Sequence, residues 1–171
     1  MNYHNITKDD MLNGEGLRVV LWVSGCSHHC EGCHNPQTWS PSSGILFDRA
    51  AHDELFSYLD NSWISGLTLS GGDPLNENNL ETVLELVKEF REKYHDSKTI
   101  WIYSGYTYKD IKKDISEPTM AIRREILSYC DVFVDGKFDI SQKDISYEWA
   151  GSRNQNVIIL PKTKEKKIWK D

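Results

Sequence analysis

Three of the chain's four cysteines fall within one short stretch, Cys26-Ser27-His28-His29-Cys30-Glu31-Gly32-Cys33. Thiolates this close together suit a thiophilic centre, either zinc or an iron–sulfur cluster. A 4Fe-4S cluster ordinarily takes four cysteines, one per iron, so a triad leaves one iron open. An open position separates a catalytic metal site from a closed structural one, because substrate or water can enter it. The spacing i, i+4, i+7 would put all three side chains on one helix face. Gly25, Gly32 and Pro36 interrupt the segment, however, and the reading is a loop wrapped around the metal. On these residues alone zinc stays open, with His28, His29, His34 or Cys130 as a fourth ligand.

The elements that must hold this loop follow from hydrophobic pattern. Residues 17–23 form a nearly continuous apolar, valine-rich run, as in a strand buried on both faces of a parallel sheet. It delivers Ser24-Gly25 and the cysteines. Residues 1–16 read as irregular, ending in the turn signal Asn13-Gly14-Glu15-Gly16. Residues 38–44 read as loop. Asp48 can cap a helix over 49–59, with Ala51, Leu55, Phe56 and Leu59 on one side. A short apolar strand over 66–70 stops at Gly71-Gly72-Asp73-Pro74, and an amphipathic stripe predicts a helix over 77–94. Further strands are expected at 99–103, 131–134 and 156–160. Helices are expected over 108–115 and, opened by Pro118, over 120–130. This alternation indicates an α/β chain of about five mostly parallel strands with helical crossovers.

Four polar, glycine-containing clusters, at 24–33, 70–74, 104–106 and 135–137, each follow a predicted strand. In a parallel sheet those ends share one rim, where ligands of α/β folds bind, so the loops should meet around a single pocket containing the metal. Gly71-Gly72-Asp73 suits a ligand with a charged amino group: glycines admit close backbone approach and a carboxylate stands beside them. It also reads as an ordinary turn. Ser104 and Tyr106 could bind a carboxylate or ribose, or complete a turn. Asp135 could contact a ligand or begin the turn at Gly136. His34 could stack on a base or cover the metal. Cys130 reads as a small buried hydrophobe. No role falls to His4, His52 or His95, and no catalytic residue is expected beyond the metal ligands.

At 171 residues the chain is expected to be a single domain over 1–171. Its 39% hydrophobic content, with six Trp and eight Tyr, is that of a globular protein. A net charge of −6 argues against a general affinity for nucleic acid, which depends on neutralising phosphates. The one basic run, 162–167, is broken by Glu165 and reads as a solvated tail. No apolar core of a signal peptide opens the chain and no run of eighteen apolar residues occurs, so a cytoplasmic location is expected. Clustered cysteines there are expected to bind metal or react rather than pair as disulfides.

The arrangement C-x3-C-x2-C at Cys26, Cys30 and Cys33 is similar to the signature of the radical S-adenosylmethionine superfamily, and Gly71-Gly72-Asp73 resembles its second motif. The chain as a whole resembles the family of activating proteins of anaerobic ribonucleoside-triphosphate reductase. The resemblance runs through Asn13 to Arg18, Gly25 to Asn35 with Thr38-Trp39, Leu69 to Leu75, Tyr103 to Tyr106, Val134 to Phe138, and Gly151 to Gln155. It implies an incomplete (β/α) barrel; a full eight-unit barrel needs about 250 residues. It also implies a 4Fe-4S cluster on the three cysteines whose open iron is chelated by S-adenosyl-L-methionine. The ligand's methionine amino group would meet Gly71 to Asp73, and Ser104, Asp135 and His34 would lie nearby. Cleavage of the sulfonium would give a 5′-deoxyadenosyl radical that takes hydrogen from a glycine of the large reductase subunit, with an electron donor such as flavodoxin. One departure is Gly32, where many superfamily members carry an aromatic residue before the last cysteine; this leaves His34 as the nearest ring for adenine. Two other classes stay open: a small-molecule radical enzyme resembling a deazaguanine synthase, and a non-enzymatic zinc or electron-carrier module.

Overall fold

The computed structural model describes residues 1–113 and 117–161. The end of the helix expected to reach Ile115 and the basic run 162–167 lie outside the described residues. Seven strands form one sheet: β1 (Asn2–Asp10), β2 (Arg18–Val23), β3 (Ile45–Leu46), β4 (Gly66–Gly71), β5 (Thr99–Ser104), β6 (Val132–Asp135) and β7 (Asn156–Ile159). Their order is β3-β1-β2-β4-β5-β6-β7. The pairs β2·β4, β4·β5 and β5·β6 are parallel. Helix α1 (Arg49–Leu59) makes the first crossover, α2 (Leu80–Tyr94) the second, and α3 (Tyr108–Lys113) with α4 (Pro118–Tyr129) the third.

Alternation along the parallel strands assigns their two faces. Val19, Leu21 and Val23 of β2 pack with Leu67, Leu69, Ile100, Ile102 and Phe133 against the helices, in a core with Leu55, Leu59, Val83, Val87, Phe90, Ile126 and Leu127. On the opposite face Trp101, Val132 and Val134 form a second cluster, covered by Trp149, Ala150 and Val157. Arg18, wholly buried, ties the amino ends together. Its Nε donates to Thr68 Oγ1 at 2.7 Å and its Nη2 donates to the carbonyls of Leu67 at 2.7 Å and Thr99 at 3.0 Å. Burial lowers its pKa to about 10, and these acceptors replace the water it has lost.

Three expectations are corrected. Residues 2–10 are a strand, not irregular coil: β1 pairs antiparallel with β2, and register shifts between Tyr3 and Asn5 and between Thr7 and Asp10 break the two-residue alternation that would reveal it. The count of about five mostly parallel strands becomes seven, with β1·β2, β1·β3 and β6·β7 antiparallel. The strand at 156–159 returns antiparallel because the connection from Gly136 to Gln155 holds only a 3-10 turn at Ile140–Gln142 and no crossover helix. Helix α2 begins at Leu80 rather than at 77, because Asn76 and Asn79 shape a turn instead. Asn79 Nδ2 donates to the carbonyls of Ser24 at 2.8 Å and Asp73 at 2.9 Å.

Candidate functional site

The carboxyl ends of the four parallel strands meet, as the parallel order requires. Cys26, His28, Cys30, Cys33 and His34 from the loop after β2, Gly71-Gly72 after β4, Ser104-Gly105 after β5, and Gly136-Lys137 after β6 all line one cavity of about 500 Å³. That volume lies within the range of sites for drug-sized ligands. Its far wall comes from Phe138, Lys143, Asp144, Ile145, Ala150, Gly151 and Gln155, between β6 and β7.

The cysteine loop is held by backbone bonds at its entry. The amide of Gly25 donates to the Thr38 carbonyl at 2.7 Å and that of Cys26 to the Trp39 carbonyl at 2.9 Å. The Cys33 amide closes a turn on the Cys30 carbonyl, and the Asn35 amide donates to Cys33 Sγ at 3.4 Å. Burial pushes the Cys26 thiol up to about 11, so a bare thiolate is disfavoured until a cation compensates it.

Two histidines weighed as metal ligands have other partners. His28 Nε2 donates to Asp73 Oδ2 at 2.7 Å; the carboxylate accepts, which assigns the ring proton. The His28 ring also meets Tyr106 edge-on at 4.7 Å. His29 stacks on Trp39 at 4.7 Å. His34 is exposed at the cavity edge. Cys130 is buried at the end of α4, before the amino end of β6, while the cysteine loop follows the carboxyl end of the parallel β2. The 4 residues of β6, at about 3.3 Å each, keep it at the opposite side of the sheet.

The geometry revises two expected ligand contacts. Asp73, only 1% exposed, stands behind the cavity wall. Its Oδ2 accepts from His28, from Ser104 Oγ at 3.0 Å and from the Gly105 amide at 3.1 Å, while Oδ1 accepts from the Leu75 amide at 2.8 Å. Its carboxylate joins three strand-end loops rather than facing the open space. Asp135 is likewise occupied: the Tyr108 amide donates to Oδ2 at 2.7 Å and Asn156 Nδ2 donates to Oδ1 at 2.8 Å. It fixes the start of α3 to the ends of β6 and β7.

The glycines also have a nearer reason than ligand approach. A Cβ on Gly72 would lie 2.7 Å from the Gly25 carbonyl oxygen, and one on Gly105 would lie 2.2 Å from the His28 ring. Both positions let the rim loops pack on each other. Gly71, Gly72 and Ser104 nonetheless line the cavity.

Sequence reasoning gave no ligand-binding or structural role to Asn79, Trp39 or the far wall. Asn79 carries no signal beyond an ordinary helix start. Trp39 lines the cavity, and its indole Nε1–H is closed off from water with no acceptor, the one such side-chain nitrogen or oxygen among the described residues. An unmade buried bond of this kind costs about 1–3 kcal/mol, which argues that a bound group completes it.

The residues fit an iron–sulfur cluster: three thiols line one partly buried cavity, an amide N–H is directed at one sulfur, and a buried donor awaits an acceptor. Among the described residues no group of three or more His, Cys, Asp and Glu is placed to hold a single metal ion. A cluster does not require that, since each cysteine ligates a different iron. Among the described residues, no helix is long and apolar enough to cross a membrane.

The model of the 4Fe-4S single cluster domain family matches residues 12–158. A protein of Haemophilus influenzae is 43% identical over 159 residues, which cover 92% of this chain and 97% of that protein. One from Enterobacteria phage T4 is 42% identical, covering 92% of this chain and 93% of its own length, and one from Escherichia coli K12 is 39% identical, covering 92% and 97%. All three bear the name anaerobic ribonucleoside-triphosphate reductase-activating protein. With the 4Fe-4S domain spanning the cysteine loop and every strand-end loop of the cavity, the chain belongs to the family of anaerobic ribonucleoside-triphosphate reductase-activating proteins.

Proposed function

We propose that this protein is a radical S-adenosylmethionine activase that generates a glycyl radical on the large subunit of an anaerobic ribonucleoside-triphosphate reductase. Cys26, Cys30 and Cys33 each hold one iron of a 4Fe-4S cluster, and S-adenosyl-L-methionine takes the remaining iron and the adjoining cavity. When bound and reduced by a donor such as flavodoxin, the cluster supplies the electron that cleaves the sulfonium. Gly71, Gly72 and Ser104 form the wall against which the ligand lies, and His34 is the ring available to adenine. Asp73 and Asp135 hold that wall from behind. In fold terms the reading makes β2, β4, β5 and β6 with their crossovers an incomplete (β/α) barrel, in a reducing, cytoplasmic setting.

The observation that carries the reading is the convergence of all three cysteines, on the loop after β2, with the three other strand-end loops on one cavity. An extended apolar residue at its margin supports a protein substrate: Ile145 lines the cavity yet is 95% exposed. Ile145→Asp is expected to lower activation of the reductase subunit about tenfold, the loss of one contact at an interface centre, with iron content and uncoupled S-adenosylmethionine cleavage retained. Equal activation by the variant would place docking elsewhere.

The direct test mixes the reduced protein, S-adenosylmethionine and the large subunit without oxygen and records electron paramagnetic resonance. A doublet from the one remaining α-hydrogen is expected, collapsing when the subunit carries deuterated glycine. Consumption of S-adenosylmethionine with a small metabolite and no doublet with any reductase subunit would discard the activase reading. Zinc in place of iron and sulfide would discard the cluster.

A further inference from the structure

Trp39 is pinned to the cysteine loop at two points. Its carbonyl accepts from the Cys26 amide at 2.9 Å, and its ring stacks on His29, the neighbour of Cys30, at 4.7 Å with an interplanar angle of 29°. It follows the 3-10 turn at Pro36–Thr38, whose last carbonyl in turn accepts from the Gly25 amide. The indole therefore moves with the loop that carries the cysteines. Its Nε1–H, shielded from water, has no acceptor among the described residues, although buried donors are almost always paired. The buried polar side chains of Arg18, Asn79 and Ser104, by contrast, all make hydrogen bonds.

We infer that the Trp39 indole N–H is a hydrogen-bond donor to sulfur of the bound cluster, either a bridging sulfide or a ligating thiolate. The inference rests on the reading that Cys26, Cys30 and Cys33 hold a 4Fe-4S cluster. Both ties of Trp39 are to the cysteine loop, so sulfur held by that loop is the acceptor its position selects. Hydrogen bonds to cluster sulfurs are among the factors that set reduction potential. A donor favours the more negatively charged, reduced state, because its positive end faces the added electron. Trp39 is thus a positioning and tuning residue: it makes the cluster easier to reduce than its cysteines and burial alone would.

The test compares wild type with Trp39→Phe, which keeps an aromatic ring to stack on His29 and removes the donor. Both are reconstituted anaerobically, iron and sulfide are counted, and the midpoint potential is measured without S-adenosylmethionine. A potential shifted to more negative values at unchanged iron content is expected. An unchanged potential in an intact cluster would overturn the inference. So would a shift that appears only when S-adenosylmethionine is present, which would make the ligand the acceptor. Should the variant fail to hold its cluster, wild-type protein with indole-15N tryptophan decides: pulsed resonance of the reduced cluster should show a 15N coupling, and its absence would overturn the assignment. Failure of wild type to assemble a 4Fe-4S cluster at all would instead count against the reading beneath it.

Discussion

Alanine at Cys26, Cys30 or Cys33 is expected to abolish the iron–sulfur chromophore, while Cys130→Ala keeps it. Each loop cysteine is taken to be the sole protein ligand of its iron, so removing one leaves an iron without protein support and an incomplete cluster. Iron and sulfide analysis with the visible absorption of the reconstituted variants provides the check. Activation of the reductase should fall below detection in the three loop variants. Cys130 lies beyond the opposite end of β6, 3% exposed, and its loss should cost packing and the weak S–H bond it donates to the Ile126 carbonyl, about 1 kcal/mol in all. If Cys130→Ala lost iron as completely as Cys30→Ala, three-cysteine ligation would be wrong.

Asp73→Ala should unfold far more readily than wild type even before any metal or ligand is added. The substitution strips acceptors from four donors at once: His28 Nε2, Ser104 Oγ, the Gly105 amide and the Leu75 amide. Each buried group left unpaired costs about 1–3 kcal/mol, and with partial rearrangement a loss on the order of 3–5 kcal/mol is expected. Asp73→Asn should lie between, because its oxygen can keep one set of donors while its NH2 group opposes the other. Denaturant unfolding of the metal-free protein measures both. A residue that merely touched the ligand would show the reverse pattern, with stability near wild type and ligand binding lost; that outcome would return Asp73 to the cavity surface.

The cysteine loop and the strands that carry it were legible because their signals are local. Val19 to Val23 reads as apolar because helices cover one face, with Val19, Leu21 and Val23 in their core, and Val20 is fully buried on the other, and the stripe of α2 repeats at helical spacing. Asp73 shows where such reading stops. Its type and its place after two glycines are visible, but its partners lie at His28 and Ser104, 45 and 31 residues away, and no local pattern encodes those bonds. The polar strand β1 escaped for a related reason. It borrows its order from β2, with Tyr3 its only buried residue, and shows too little apolar alternation to announce itself. Trp39 was noticed as part of a motif, but an aromatic within a loop gives no hint that its N–H lacks a partner.

The far wall of the cavity has a separate construction from the rest. It belongs to the connection between β6 and β7, which closes on itself through an isolated bridge between Lys143 and Ser152 and an Asp144–Arg153 ion pair. It is anchored to the sheet by Trp149 lying edge-on against Trp101 at 5.5 Å. The metal-binding half, by contrast, is built into the parallel strands and their hydrogen-bonded rims. Substitutions within residues 137–155 would reach the far wall and the Trp101 cluster while leaving the backbone bonds from Gly25 and Cys26 to Thr38 and Trp39 in place. The short chain thus holds its cysteines and its far wall by two separate sets of contacts, so that one can be altered while the other stays in place.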